Sequence, residues 1–265
     1  MAEPLPIARQ IVPGACPHDC PDTCAWRVTV ENGRAVKLAG DRDHPFTRGG
    51  LCAKVNHYLD RVYGSERLTR PLRRVGTKGE GRFEPVAWDD AIADIAARLG
   101  GVIARHGGEA VLPFSYLGSL GMIQTQSLDR RFFARSGASR LERAVCGSAG
   151  WAGLFAAIGS DVGMLPEDIV HSRFIIIWGA NPIVTNLHHW PFVREAVARG
   201  ATLVVIDPAR TRTADAADWH IQPLPGTDAA LALGMMHVIV RDGLHDADYV
   251  ARHTLGFDDL RARLA

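Results

Sequence analysis

Phe174-Ile175-Ile176-Ile177-Trp178-Gly179-Ala180-Asn181-Pro182-Ile183-Val184-Thr185, followed downstream by Thr202-Leu203-Val204-Val205-Ile206-Asp207-Pro208-Ala209-Arg210-Thr211, decides the fold class. Each stretch opens on a short unbroken apolar run, 174–178 and 202–206, rich in β-branched residues, as strands buried on both faces require. The first run stops at Gly179 and the second at Asp207-Pro208, the punctuation of a loop. Between them Pro191 to Arg199 reads as a helix closed by Gly200, and after Thr227-Asp228 another runs through Val240. Strand, helix, strand, helix in that order predicts an α/β fold, a mostly parallel sheet with flanking helices.

Upstream the pattern is less regular. Asp89-Asp90 place acidic residues in the first turn of a helix whose apolar face is Ile92, Ile95, Ala96 and Leu99. Val111 to Ser115 reads as a strand, Gln124 to Arg135 as a helix, and Gly147 to Gly153 as a Gly-rich bend. Residues 64–86 form a basic connection carrying Gly and Pro. Before it, Ala25 to Val30 alternates as a strand, Asn32-Gly33 signals a tight hairpin, and Ala35 to Leu38 returns. The predicted organisation is a small β-rich domain over 1–70, built around cysteines, and an α/β domain over 71–265.

Composition bounds the function classes. With 47% hydrophobic and 22% charged residues among 265, the chain has ordinary globular usage. A formal net charge of +1 gives no basic field for nucleic acid. No apolar run approaches the ~20 residues of a membrane helix, so no membrane insertion is expected. Neither a signal peptide nor a twin-arginine leader is evident, which makes the cytoplasm the expected location.

Four of the five cysteines lie early: Cys16, Cys20 and Cys24 as a close trio, Cys52 as a distant fourth. Clustered thiols in a reducing compartment read as metal ligands. Four thiolates are the ligand set of a 4Fe-4S cluster, and the hairpin between Cys24 and Cys52 offers a way to bring the fourth back. Zinc is the competing tenant, although zinc ligands usually come as two close couples. Cys146, alone in Arg143-Ala144-Val145-Cys146-Gly147-Ser148, reads by itself as a small buried residue.

The ends of the two apolar runs are candidate ligand loops, because in open α/β sheets ligands sit beyond the carboxyl ends of strands. Gly179 would let backbone approach a phosphate, while Asn181 and Thr185 could supply side-chain bonds around Pro182. Asp207, before Pro208, could accept from ribose hydroxyls or a base, and Arg210 could pair with a phosphate. Pro225-Gly226-Thr227-Asp228 precedes a helix, so Asp228 reads as its N-cap, a role that does not exclude contact with a base. No Gly-x-Gly-x-x-Gly fingerprint for nicotinamide or flavin is present. His171, His188, His189 and His220 receive no catalytic role.

Cys16-Pro17-His18-Asp19-Cys20-Pro21-Asp22-Thr23-Cys24 with Gly50-Leu51-Cys52-Ala53-Lys54, then Trp178 to Thr185, resembles the molybdopterin oxidoreductases of the dimethyl sulfoxide reductase and formate dehydrogenase family. The resemblance continues to roughly Asp228. It implies a 4Fe-4S cluster on Cys16, Cys20, Cys24 and Cys52, and Lys54 between cluster and pterin. It also implies a Rossmann-like sheet carrying molybdenum bis(molybdopterin guanine dinucleotide), with tungsten as the alternative metal. Gly179, Asn181, Pro182, Thr185, Asp207, Pro208, Arg210, Gly226, Thr227 and Asp228 would then hold that cofactor. Cys146 becomes the molybdenum ligand, with Ser148 as fallback and Lys54 as its catalytic companion. The family's formate dehydrogenases follow that ligand with histidine, whereas Gly147 stands here, which argues against formate. Family members are well over twice this length, so the second nucleotide-binding and C-terminal domains are expected to be missing from this sequence.

The implied activity is an oxidoreductase acting on a small-molecule substrate and passing electrons to a carrier or partner redox subunit. Two other readings stay open: a non-catalytic iron–sulfur electron-transfer or partner-binding fragment, and a non-redox hydratase of the same family.

Overall fold

The computed structural model describes residues 8–115, 118, 127–142 and 147–264. The chain divides into two compact units, Met1–Gly163 and Met164–Ala265.

The first unit begins with a three-stranded antiparallel sheet, β1 (Arg9–Ala15), β2 (Ala25–Glu31) and β3 (Arg34–Gly40), with β2 central. Val12, Val28 and Leu38 stand in register across it. The β2–β3 connection is the Asn32-Gly33 turn expected from the sequence, with φ of 51° and 79°. Arg27 on β2 pairs with Asp41 at 2.9 Å and Asp43 at 2.7 Å, pinning the chain as it leaves β3. Strand β1 has no counterpart in the sequence pattern, because Pro13 and Gly14 interrupt its alternation.

The path of the chain beyond β3 is set by one close approach. A methyl group on Gly40 would lie 2.3 Å from the carbonyl oxygen of Gly49, so the return loop can lie on the strand end only because residue 40 has no side chain. That loop delivers Cys52, which precedes helix α1 (Ala53–Asn56), where Val55 is fully buried. Helix α2 (Tyr58–Tyr63) is fastened back to β3. The Ala35 N–H donates to the Tyr63 hydroxyl at 2.9 Å, and the Arg34 guanidinium lies 3.8 Å from the centre of the Tyr63 ring.

Within the basic connection over 64–86 lies a short hairpin, β4 (Leu72–Arg74) with β5 (Phe83–Pro85). Helix α3 (Trp88–His106) carries Asp89 and Asp90 in its first turn as expected. Two expectations fail in this unit. Residues 111–115 form no strand; Val111 accepts one backbone bond, from Ser139, and no ladder partner runs beside it among the described residues. The Gly-rich stretch expected to bend is helical: α5 (Ser148–Ile158) follows α4 (Leu128–Arg135), and Trp151, Ala152, Leu154, Phe155, Ala156 and Ala157 outweigh the glycines among them. The part of the 124–135 helix before Ser127 lies outside the described residues.

The second unit is built on a three-stranded parallel sheet, β6 (Phe174–Trp178), β7 (Thr202–Ile206) and β8 (Trp219–Ile221), in that order. Both apolar runs are therefore strands, joined by helices α6 (Pro182–Thr185) and α7 (Trp190–Ala198), and α8 (Arg212–Asp215) links β7 to β8. Ile175, Ile177, Leu203 and Val205 share the face packed on Val193 and Ala196 of α7 and on Ala214 of α8. The expectation of burial on both faces holds for β7 but not for β6, whose alternate residues Phe174 and Ile176 are 59% and 41% exposed. The connecting helices cover one face of β6 only. Helices α9 (Asp228–Arg241), α10 (Ala247–His253) and α11 (Phe257–Leu264) complete the unit. Among the described residues no helix is long and apolar enough to cross a membrane.

Gly40→Ala is expected to displace the return loop and destabilise the first unit by about 1–3 kcal/mol. Urea denaturation followed by circular dichroism measures the loss, and unchanged stability would show that the loop moves away freely.

Candidate metal and nucleotide sites

Local backbone geometry gathers the early cysteines. The Cys16 N–H donates to the Cys24 carbonyl at 2.8 Å, closing the trio into one loop, and the return from β3 brings the fourth. Cys16, Cys20, Cys24 and Cys52 are all free thiols. The acidities of Cys20 and Cys24 record burial first and proximity second. Burial pushes the Cys24 thiol up to about 11, and the Asp22 carboxylate and the three other cysteines add to the effect. Cys20 is also raised, chiefly by burial; the Asp22 N–H, which donates to its sulfur, works against this, while the Asp22 carboxylate, Cys16 and Cys52 raise it further. Such thiols resist ionising alone and gain by sharing a cation, and an N–H aimed at sulfur suits a metal-bound thiolate. The donor set therefore fits an iron–sulfur cluster. Among the described residues no three His, Cys, Asp or Glu side chains close tightly around a single ion.

Aromatic side chains wall this loop. Tyr58 bonds to His18 Nε2, its ring meets His18 and Trp26 edge-on at 5.7 Å each, and its acidity is lowered by burial and then by Cys16. Lys54 is exposed on α1, two residues past Cys52. Cys146 lies outside the described residues, and Ser148, its fallback, opens α5.

In the second unit the strand-end loops are tied together across the sheet. The Gly179 N–H extends the ladder by donating to the Ile206 carbonyl at 2.8 Å, and Asp207 N–H does the same to Ile221 at 3.1 Å. Gly179 has φ +61° with open space where a side chain would stand, so its backbone is left uncovered. The Asn181 carbonyl receives the amides of Val184 and Thr185 and the Thr185 hydroxyl, at 2.9, 2.9 and 3.1 Å. Its side-chain Oδ1 accepts from the Thr213 hydroxyl at 2.6 Å. Thr213 is fully buried and was not singled out in the sequence; Thr211-x-Thr213 at the head of a short helix was the available signal.

Asp207 Oδ1 accepts from the Ala209 N–H at 2.8 Å, making an Asx turn around Pro208, and Arg210 pairs with Asp215 at 2.6 Å. His220 Nε2 lies 2.9 Å from the Asp207 carbonyl. Gly226, at φ +83°, turns the chain into α9. The N-cap position belongs to Thr227, with no side-chain capping bond, so Asp228 is not the N-cap; it is the first helical residue. Its Oδ1 instead accepts from the Trp178 indole N–H at 2.7 Å, across from the end of β6. The structure thus joins Asn181 to the β7 loop and Asp228 to the β6 end, while the side chains of Asp207, Arg210 and Thr185 bond within their own loops.

A cysteine-bearing β domain and a parallel sheet with polar strand-end loops are features of cofactor-binding α/β proteins. Residues 9–64 match the family described as Molybdopterin oxidoreductase Fe4S4 domain, and residues 67–253 match the Molybdopterin oxidoreductase family. The chain belongs to the molybdopterin oxidoreductase family. It is 42% identical to a probable oxidoreductase, YoaE, of Bacillus subtilis over 95% of this chain and 37% of that protein. It is 32% identical to the assimilatory nitrate reductase catalytic subunit of the same organism, over 83% of this chain and 31% of that one. The solved structure of acetylene hydratase from Pelobacter acetylenicus matches with a TM-score of 0.64 at 26% identity, over 92% of this chain and 34% of that one. The chain spans about a third of the length of these relatives.

Three outcomes test the sites. In cluster-free protein, iodoacetamide should label Cys24 last of the four, and stability should fall as pH rises from 9 towards 11. The sign comes from a folded-state acidity constant raised above the ordinary 9.0: the neutral thiol favours the fold below that pH, and the advantage disappears as the buried thiol ionises. Peptide mapping and thermal melts read both, and Cys24 labelling first would contradict the burial. Thr213→Val should cost about 1–3 kcal/mol by leaving Asn181 Oδ1 without its donor, measured by denaturation against wild type.

Proposed function

We propose that this chain forms the cluster-bearing and first nucleotide-binding part of a molybdopterin enzyme that exchanges electrons between a molybdenum–pterin centre and a 4Fe-4S cluster. The observation that carries this reading is the quartet Cys16, Cys20, Cys24 and Cys52 in mutual electrostatic reach. In this reading the organisation is a 4Fe-4S domain over 1–70 and a Rossmann-like nucleotide domain over 71–265.

When bound, the molybdenum centre supplies two-electron chemistry at a small substrate and the cluster carries electrons singly. This chain's residues orient and tune. Lys54, by its ammonium charge, favours the more negative state of a neighbouring cluster and offers a donor to the pterin. Cys146 is the proposed thiolate ligand to molybdenum, a soft donor suited to that metal. The Gly179 turn, open where a side chain would stand, lets the dinucleotide approach closely, and the Asn181 side-chain amide, steadied by Thr213, donates to its phosphates and sugar. Asp228 offers its carboxylate to guanine, whose N1–H and 2-amino group stand side by side as donors. An external electron carrier or partner redox subunit and a cytoplasmic location complete the proposal.

A second reading, a non-redox hydratase, is favoured by the 0.64 TM-score to acetylene hydratase. The two part on whether substrate reduces or oxidises the cluster during turnover.

Anaerobically reconstituted protein should hold four irons per chain with a broad visible absorption and, in cells making the cofactor, molybdenum or tungsten. Cys52→Ser should lower the iron and the absorption together. Cys146→Ala should remove molybdenum-dependent turnover in a full-length relative carrying these residues while sparing the absorption. Zinc in place of iron would refute the proposal.

A further inference from the structure

The Trp178 indole N–H and the Asp228 carboxylate meet at 2.7 Å from opposite sides of the strand-end region, one closing β6 and the other opening α9. The contact links residues 50 apart in sequence. Trp178 is half-buried and Asp228 lies towards solvent, so the bond ends at the surface. Oδ1 is engaged by the indole, while Oδ2 takes no hydrogen bond among the described residues. Asp228 does not cap its helix, and so this carboxylate is held by a tertiary contact and not by its own backbone.

We propose that Trp178 is a specificity-determining positioning residue, which fixes the Asp228 carboxylate edge-on for a guanine base and against other purines. The inference rests on the proposed role of Asp228 as a base acceptor. An aspartate on an exposed helix start rotates broadly about its terminal torsion. One strong donor on Oδ1 removes that freedom before the ligand binds, which lowers the ordering cost of recognition. A carboxylate so held presents lone pairs to two adjacent donors. Guanine has them in N1–H and the 2-amino group; hypoxanthine keeps only N1–H, and adenine has an acceptor at N1. A site built to receive a donor discriminates most strongly against the analogue lacking it, because its own acceptor is then left unpaired. The indole suits the task better than a flexible donor, since its ring is anchored at the strand end and its N–H can only donate.

The test uses the full 265-residue chain with GDP, IDP (which lacks the 2-amino group) and ADP as probes, by calorimetry. Wild type should prefer GDP over IDP and both over ADP. Trp178→Phe, which keeps an aromatic ring but loses the donor, should weaken GDP by about fivefold, one ordinary hydrogen bond, and bring the GDP-to-IDP ratio close to one. Trp178→His, which keeps a ring N–H, should recover part of the preference. Asp228→Ala should erase the preference entirely. A Trp178→Phe protein with the wild-type GDP-to-IDP ratio, beside an Asp228→Ala protein that has lost it, overturns the role of Trp178 and leaves the Asp228 reading standing. Loss of preference in neither variant, or no GDP binding by wild type at millimolar concentration, overturns the Asp228 reading itself. Should Trp178→Phe fail to fold, the wild-type indole proton decides. Its resonance should be shifted downfield and slow to exchange, and Asp228→Ala should abolish both features; an indole proton indifferent to that substitution refutes the contact.

Discussion

Cys20 and Cys24, partly buried and close to Asp22, Cys16 and Cys52, resist becoming thiolates unless a cation enters among them. That constraint organises the first unit. Burial, then the Asp22 carboxylate and the neighbouring cysteines, push the Cys24 thiol up to about 11, so it is a poor nucleophile alone and gains by sharing a cation. The surrounding architecture answers the same need. The antiparallel sheet presents the trio at one end of β2, the Arg27 pairs with Asp41 and Asp43 fix the chain leaving β3, and the bare Cα of Gly40 admits the loop that returns Cys52.

In the second unit the organising interaction is hydrogen bonding beyond the last strand residues. Gly179 and Asp207 continue the parallel ladder past β6 and β7, so the loops leave the sheet with fixed directions. Buried Thr213 then joins the two loops by donating to the side-chain oxygen of Asn181. A loop set by internal bonds presents its amides without further ordering on binding, the physical meaning of preorganisation.

The sequence carried some of this and concealed the rest for identifiable reasons. The runs 174–178 and 202–206 and the Asn32-Gly33 hairpin are local signals, and they produced β6, β7 and the β2–β3 turn. β1 was invisible because its pairing with β2, and not its own alternation, makes it a strand. Residues 111–115 had the composition of a strand and lacked a neighbour to pair with among the described residues, while the glycines at 147–153 suggested a bend where alanines and large apolar residues favoured a helix. The quartet of cysteines was legible from spacing. The bonds from Thr213 to Asn181 and from Trp178 to Asp228 were not, since they span 32 and 50 residues and depend on how the strand ends meet. Composition names the side chains near a site; only the fold says which of them hold each other.

The internal bonds also decide what is left for a ligand. Asp207 Oδ1 is engaged in its own Asx turn, the Thr185 hydroxyl in the first turn of α6, and Arg210 in its pair with Asp215. These bonds differ in how readily they yield. The Arg210–Asp215 pair is exposed on both sides, at 73% and 56%, and such pairs contribute only about 0–1 kcal/mol, so a phosphate could draw Arg210 away at little cost. The Asn181 Oδ1 bond ends on a hydroxyl with no exposure at all, and breaking it would leave a buried group unsatisfied. Burial thus separates an arginine that is free to move from an amide that is not, a division that residue types in a sequence could not have distinguished.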